Sequence, residues 1–178
     1  MKKSILKIWN ILSTILIVCL IILAILLAGV RLIGLTPLSV LSGSMEPTYH
    51  VGSLIYVKDV DYTELEPGDV ITFMIDEDTM ATHRIVEVVP DDEDPSVLRF
   101  RTKGDANENV DGGLVHYKNI VGSPVFTIPM LGFLANFIQH PPGMYIAIAV
   151  VAICFIFIFL PDLPEDDEDE TKKKKQRG

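Results

Sequence analysis

Leu98-Arg99-Phe100-Arg101-Thr102 sets apolar and polar side chains on alternate positions, the two-residue period of a strand with one buried and one wet face. Apolar and β-branched runs of similar length lie to either side: Leu38 to Leu41, Leu54 to Val57, Val70 to Ile75, Ile85 to Val89, Leu98 to Arg101, and Ile120 to Ile128. Segments suited to reversing a chain separate them. These are Glu66-Pro67-Gly68-Asp69, Asp76-Glu77-Asp78, the acidic loop from Pro90 to Pro95, Gly104-Asp105 and Asp111-Gly112-Gly113. No stretch between residues 36 and 128 holds a helical period for three turns. The pattern predicts a mostly-β domain of about six to eight short strands. It occupies residues 31–140, a length that supports one core rather than two.

Outside this domain the apolar residues are concentrated at the two ends. Ile11 to Val30 reads ILSTILIVCLIILAILLAGV, twenty residues without a charge, long enough as a helix for the roughly 30 Å hydrocarbon core of a bilayer. A transmembrane anchor at 11–30 is therefore expected. The rival reading, a cleavable leader, has its positive region in Lys2, Lys3 and Lys7. The apolar run is too long for it, and no small-residue cleavage site follows. A second run, Met144 to Leu160, begins after Pro141-Pro142-Gly143 and predicts a second transmembrane helix at 144–160. Lysines before the first helix, and Lys172 to Lys175 with Arg177 after the second, place residues 1–10 and the charged, disordered tail 161–178 in the cytoplasm. The β domain is then extracytoplasmic or lumenal. Met130 to Ile138 (MLGFLANFI) has two readings: it lies along the membrane surface through Phe133 and Phe137, or it packs on the core.

Composition excludes several classes of function. The net charge of −9 comes largely from Asp91 to Asp94 and Glu165 to Glu170, and no basic stripe with interleaved aromatics points to nucleic acid. Cys19 and Cys154 both lie inside the apolar runs, no zinc-ligand spacing exists, and no cofactor is implied.

The residues able to carry chemistry lie in the β domain. Ser42-Gly43-Ser44-Met45-Glu46-Pro47 offers a serine on a constrained turn, which as a nucleophile needs a nearby base and donors aimed at a developing oxyanion. Thr82-His83-Arg84-Ile85 supplies a histidine at the opening of a strand. Lysine is the other plausible base. Of the candidates Lys58 and Lys103, the first lies beside Asp59 and Asp61, which hold it charged. Asp105 and Asp111, in the loop after the Leu98 strand, could each orient a histidine. Taken singly, each feature also suits an ordinary turn or strand end.

Together they resemble the type I signal peptidase family. Val40-Leu41-Ser42-Gly43-Ser44-Met45-Glu46-Pro47 is similar to its serine box, and Pro67-Gly68-Asp69-Val70-Ile71 to the strand box that follows. Thr82-His83-Arg84-Ile85-Val86 resembles the box that carries histidine in the archaeal and endoplasmic-reticulum subgroup, and Thr102-Lys103-Gly104-Asp105-Ala106-Asn107 with Asp111 the last box. The resemblance implies a serine endopeptidase with Ser44 as nucleophile, His83 as general base and Asp111 as orienting acid. Asp105 supports the loop, and the Ser44 backbone N–H and the Ser42 hydroxyl form the oxyanion hole. The implied partners are signal-peptide-bearing precursors, the bilayer and the secretion translocon. A related self-cleaving protease and a non-enzymatic anchored β domain are the competing classes. A histidine base must be neutral to accept a proton, so activity should fall as the medium is taken below about pH 6. A rate profile flat from pH 5 to 8 would count against it.

Overall fold

The computed structural model describes residues 2–91, 94–95 and 97–159. Leu160, the charged tail and Asp92, Glu93 and Ser96 of the acidic loop lie outside the described residues. Seven strands form the domain: β1 (Leu35–Ser39), β2 (Leu54–Lys58), β3 (Val70–Met74), β4 (Met80–Pro90), β5 (Leu98–Lys103), β6 (Leu114–His116) and β7 (Ile120–Ile128). Their order in the sheet is β1-β2-β7-β3-β4-β5-β6, with every neighbouring pair antiparallel. The mostly-β expectation holds.

The last strand joins the two halves. Ile120 and Gly122 of β7 pair with β3, while Ser123 to Ile128 pair with β2. Gly122 makes the passage with φ +148°, and a Cβ there would lie 2.0 Å from the Lys58 carbonyl oxygen. No other residue fits so close an approach. Each half has its own apolar cluster. Leu65, Ile71, Phe73, Ile85, Phe100 and Val115 form one under β3 to β6; Leu54, Tyr56 and Ala135 form the other, with Leu27 and Val30 packed against it.

Three α-helices flank the sheet: α1 (Lys2–Leu27), α2 (Leu131–Gln139) and α3 (Gly143–Phe159). Within α1, Lys7–Leu27 is 21 residues with mean hydropathy 3.0, long and apolar enough to cross a membrane. The helix stops three residues short of the expected Val30, at Leu27, and the chain tightens into a 3-10 turn over Gly29–Ile33. The Tyr56 hydroxyl donates to the Leu26 carbonyl at 3.0 Å, satisfying an acceptor that a helix end otherwise leaves open. That bond and the packing of Leu27 fix the helix to β2. Helix α3 follows α2 after a bend of 96°.

Of the two readings of Met130 to Ile138, packing on the core holds for one face of α2. Gly132 and Ala135 are buried toward β1 and β2, where the Ser39 hydroxyl donates to the Gly132 carbonyl at 3.1 Å. Phe133 and Phe137 are largely exposed, the Phe133 ring lying over Gly52.

β2, β3 and β5 differ from the sequence reading by one or two residues at their ends, and three strands differ by more. β1 begins at Leu35 and ends at Ser39 rather than running from Leu38 to Leu41. It is an edge strand, so Pro37 costs no ladder bond on its free side. β4 runs eleven residues from Met80, which sets His83 inside the strand rather than at its opening. β6 has only three residues and was not expected. Phe100 is fully buried, so Phe100→Ala should cost about 3 to 5 kcal/mol in denaturant unfolding of the detergent-solubilised chain. A loss under about 1 kcal/mol would show the core to lie elsewhere.

Candidate active site

Ser44 lies in the loop between β1 and β2. Two backbone bonds close its base, Val40 N–H to the Ser53 carbonyl at 2.9 Å and Gly52 N–H to the Val40 carbonyl at 2.8 Å. Met45 is buried beneath the loop, and this anchor turns the preceding serine toward the surface. The Glu46 carboxylate accepts from His50 Nδ1 at 2.5 Å and from Val51 N–H at 3.2 Å. The His50 bond, then the Val51 bond, hold that carboxyl below its usual range.

His83 reaches the loop from β4. Its Nε2 is 3.2 Å from Ser44 Oγ, and its Nδ1 is 2.6 Å from Asp111 Oδ2. An ionised carboxylate offers only acceptors, so Nδ1 carries the proton and Nε2 is left to accept from the serine hydroxyl. Phe73 meets the imidazole edge to face, with centroids 6.2 Å apart. Asp111 is fixed in turn by Thr102, whose hydroxyl donates to Asp111 Oδ2 at 2.7 Å and whose carbonyl accepts the Asp111 N–H at 2.8 Å. Thr102 is fully buried. Ser42 Oγ lies 3.3 Å from Ser44 Oγ.

Asp105 is placed elsewhere. Both its oxygens receive the Arg84 guanidinium, Nε at 2.8 Å and Nη2 at 2.7 Å, and Thr48 Oγ1 donates to it at 2.5 Å. The third arm of Arg84 donates from Nη1 to the Gly68 carbonyl at 2.7 Å. The serine loop, β4 and the turn before β3 are thus held to one carboxylate. The turn after β5 also touches the serine directly, since Ala106 N–H donates to the Ser44 carbonyl at 2.9 Å. A Cβ on Gly104 would sit 2.6 Å from that carbonyl oxygen, so any side chain there displaces Ser44.

Of the residues singled out in the sequence, Ser42, Ser44, His83 and Asp111 come together, and Asp105 is bound instead to Arg84, the residue after His83 on β4. Lys58 lies on β2 opposite Ser123, and Lys103 on β5 opposite Arg84. Sequence reasoning assigned nothing to Thr102, Arg84 or Thr48. The first two stand inside the quoted motifs, but only the register of β4 on β5 reveals what they hold.

An open cleft of about 410 Å³ runs beside Ser44. Ser39 to Ser42, Met80 and Thr82 line it, with Asn136 and Gln139 of α2 and His140 just after that helix. No group of three or more His, Cys, Asp or Glu side chains among the described residues is arranged to hold a metal.

Residues 9–124 match the family model described as signal peptidase, peptidase S26, and the chain belongs to that family. It is 50% identical over 88 residues to signal peptidase I W of Bacillus subtilis (strain 168), covering 49% of this chain and 45% of that protein. It is 31% identical over 121 residues to the signal peptidase complex catalytic subunit SEC11C of Homo sapiens, covering 63% and 62%. The SEC11 subunit of Fusarium vanettenii is 32% identical over 112 residues, covering 57% and 63%. The matched stretches thus span less than two thirds of each relative's own length.

The Arg84 hydrogen bonds, with further help from Thr48, hold the Asp105 carboxyl below its ordinary value. A carboxyl whose folded value lies below its unfolded value of about 3.9 stabilises the fold above that pH and loses the contribution as pH falls through the folded value. Asp105→Asn should therefore melt below the wild type at pH 7, and the gap should narrow below about pH 4. Thermal unfolding across pH 3 to 7 checks it, and a gap independent of pH would refute the linkage.

Proposed function

We propose that this protein is a membrane-anchored serine endopeptidase that removes signal peptides from secreted and membrane protein precursors. Ser44 is the nucleophile, His83 the general base and Asp111 the acid that orients it. The observation carrying the proposal is the continuous hydrogen-bonded path from Ser44 Oγ through both ring nitrogens of His83 to Asp111, with family membership in support.

In the reaction, His83 Nε2 takes the hydroxyl proton as Ser44 Oγ attacks the scissile carbonyl carbon. Asp111 stabilises the resulting imidazolium through Nδ1–H. The Ser44 backbone N–H and the Ser42 hydroxyl receive the oxyanion, donors worth about 3 kcal/mol each in such a site. His83 then passes its proton to the amide nitrogen, the C–N bond breaks, and the acyl group stays on Ser44 until water releases it. Thr102 holds Asp111 in place, and Asp105 acts as a structural clamp rather than as a member of the relay.

The substrate lies extended in the cleft between Ser39–Ser42 and Met80–Thr82, adding a strand to the free edge of β1. Small residues occupy the first and third positions before the cut. Helix α1 spans the bilayer and α3 crosses it again, so that both termini are cytoplasmic and residues 31–140 face the outside or the lumen. The domain boundaries follow, with the first membrane helix ending at Leu27, the peptidase domain at 31–140 and the second membrane helix at Gly143–Phe159.

Ser44→Ala and His83→Ala should each reduce cleavage of a secretory precursor in membranes by about 10⁴-fold or more. Full activity in either variant would overturn the assignment. Thr102→Val should lower kcat about tenfold with KM nearly unchanged, and Thr102→Ser should restore it, as expected for loss of one hydrogen bond to a charged acceptor. An unchanged kcat in Thr102→Val would remove Thr102 from the mechanism.

A further inference from the structure

A second cavity, of about 400 Å³, borders His83 and Asp111. The cleft already described has Ser44 in its wall but not His83, whereas this one has His83 and Asp111 but not Ser44. Phe73, Met74, Ile75, Ala81 and Leu114 form most of the remaining wall, Thr102 and Asn119 are its other polar members, and Gly112-Gly113 borders it. It is the open end of the cluster under β3 to β6, with apolar side chains presented to solvent next to the proposed base. Ile75 is well exposed there.

We propose that this cavity is the leaving-side subsite, which takes an apolar side chain from the first residue after the cut. The inference rests on the catalytic reading above. In acyl transfer to Ser44, the residues before the cut stay attached to the serine, so their subsites must adjoin it. The leaving amine receives its proton from His83 Nε2, so the first leaving residue passes over the His83 ring with its Cα one bond from the protonated nitrogen. A cavity walled by His83 and not by Ser44 lies on that side of the reaction. Its aliphatic and aromatic lining favours Leu or Phe over Asp, which would also approach the Asp111 carboxylate. The site thereby reads the new N-terminus of the product as well as the peptide it discards.

Gly113 lines the mouth of the cavity, and a Cβ built there meets nothing within 4 Å, so a larger side chain can be introduced beside the cavity without a clash. The test compares precursor peptides identical up to the cut and bearing Ala, Leu, Phe or Asp immediately after it, in detergent micelles, with wild type and Gly113→Leu. A methyl ester ending at the cut, which has no leaving residue, serves as the reference. The wild type should prefer Leu or Phe over Asp about tenfold in kcat/KM. Gly113→Leu should bring that ratio within about twofold while ester hydrolysis is unchanged. A wild type indifferent to this residue, or a preference that survives Gly113→Leu, would overturn the subsite and leave the catalytic reading standing. Ester hydrolysis that persists in Ser44→Ala would instead remove the catalytic reading.

Discussion

The bidentate pair between Arg84 and Asp105 ties together segments that no regular element connects. Ser44 stands on a loop, His83 on a long strand and Asp111 after a turn, and hydrogen-bonding distance between them requires all three supports to be fixed at once. Arg84 is the neighbour of His83 on β4, and Thr48 lies four residues beyond Ser44; both bind one carboxylate. An arginine suits this junction because its planar fork satisfies two carboxylate oxygens and still reaches the Gly68 carbonyl. A lysine could not serve three directions in that geometry. Gly104 and Ala106 complete the joint by bringing backbone against the Ser44 carbonyl.

The sheet beneath explains why the joint can be so local. β4 and β5 pair in register through Arg84 opposite Lys103 and Ile85 opposite Thr102. Thr102 therefore points to the same face as His83 and can support the partner of its ring. The buried Thr72 and Thr82 hydroxyls pair across β3 and β4 at 2.8 Å on the opposite face. A strand that slipped by one residue would reverse both sets of side chains.

Much of this was legible in the chain itself. Alternation at Leu98 to Thr102 and the spaced turn residues gave the β domain, because period and punctuation are local properties. The residues of the candidate site could be named from motifs, and a resemblance separated Asp111 from Asp105. What sequence could not supply was anything dependent on register. Thr102 looked like one more strand residue, and Arg84 like a surface charge beside a histidine. The early start of β1 was hidden because its proline is tolerated only at a sheet edge, and edges are a property of topology. β6 was hidden for a different reason: three residues between Gly113 and Tyr117 carry no period to detect.

The bond from Tyr56 to the last turn of α1 has a mechanical meaning. Leu27 and Val30 pack on the same cluster, so the end of the long apolar helix is tied to β2 by a hydrogen bond and by apolar contact together. A helix that meets a thinner or thicker bilayer accommodates the mismatch by altering its tilt. On the proposed reading of α1 as a membrane span, such a tilt would carry with it the part of the sheet to which the helix end is bonded.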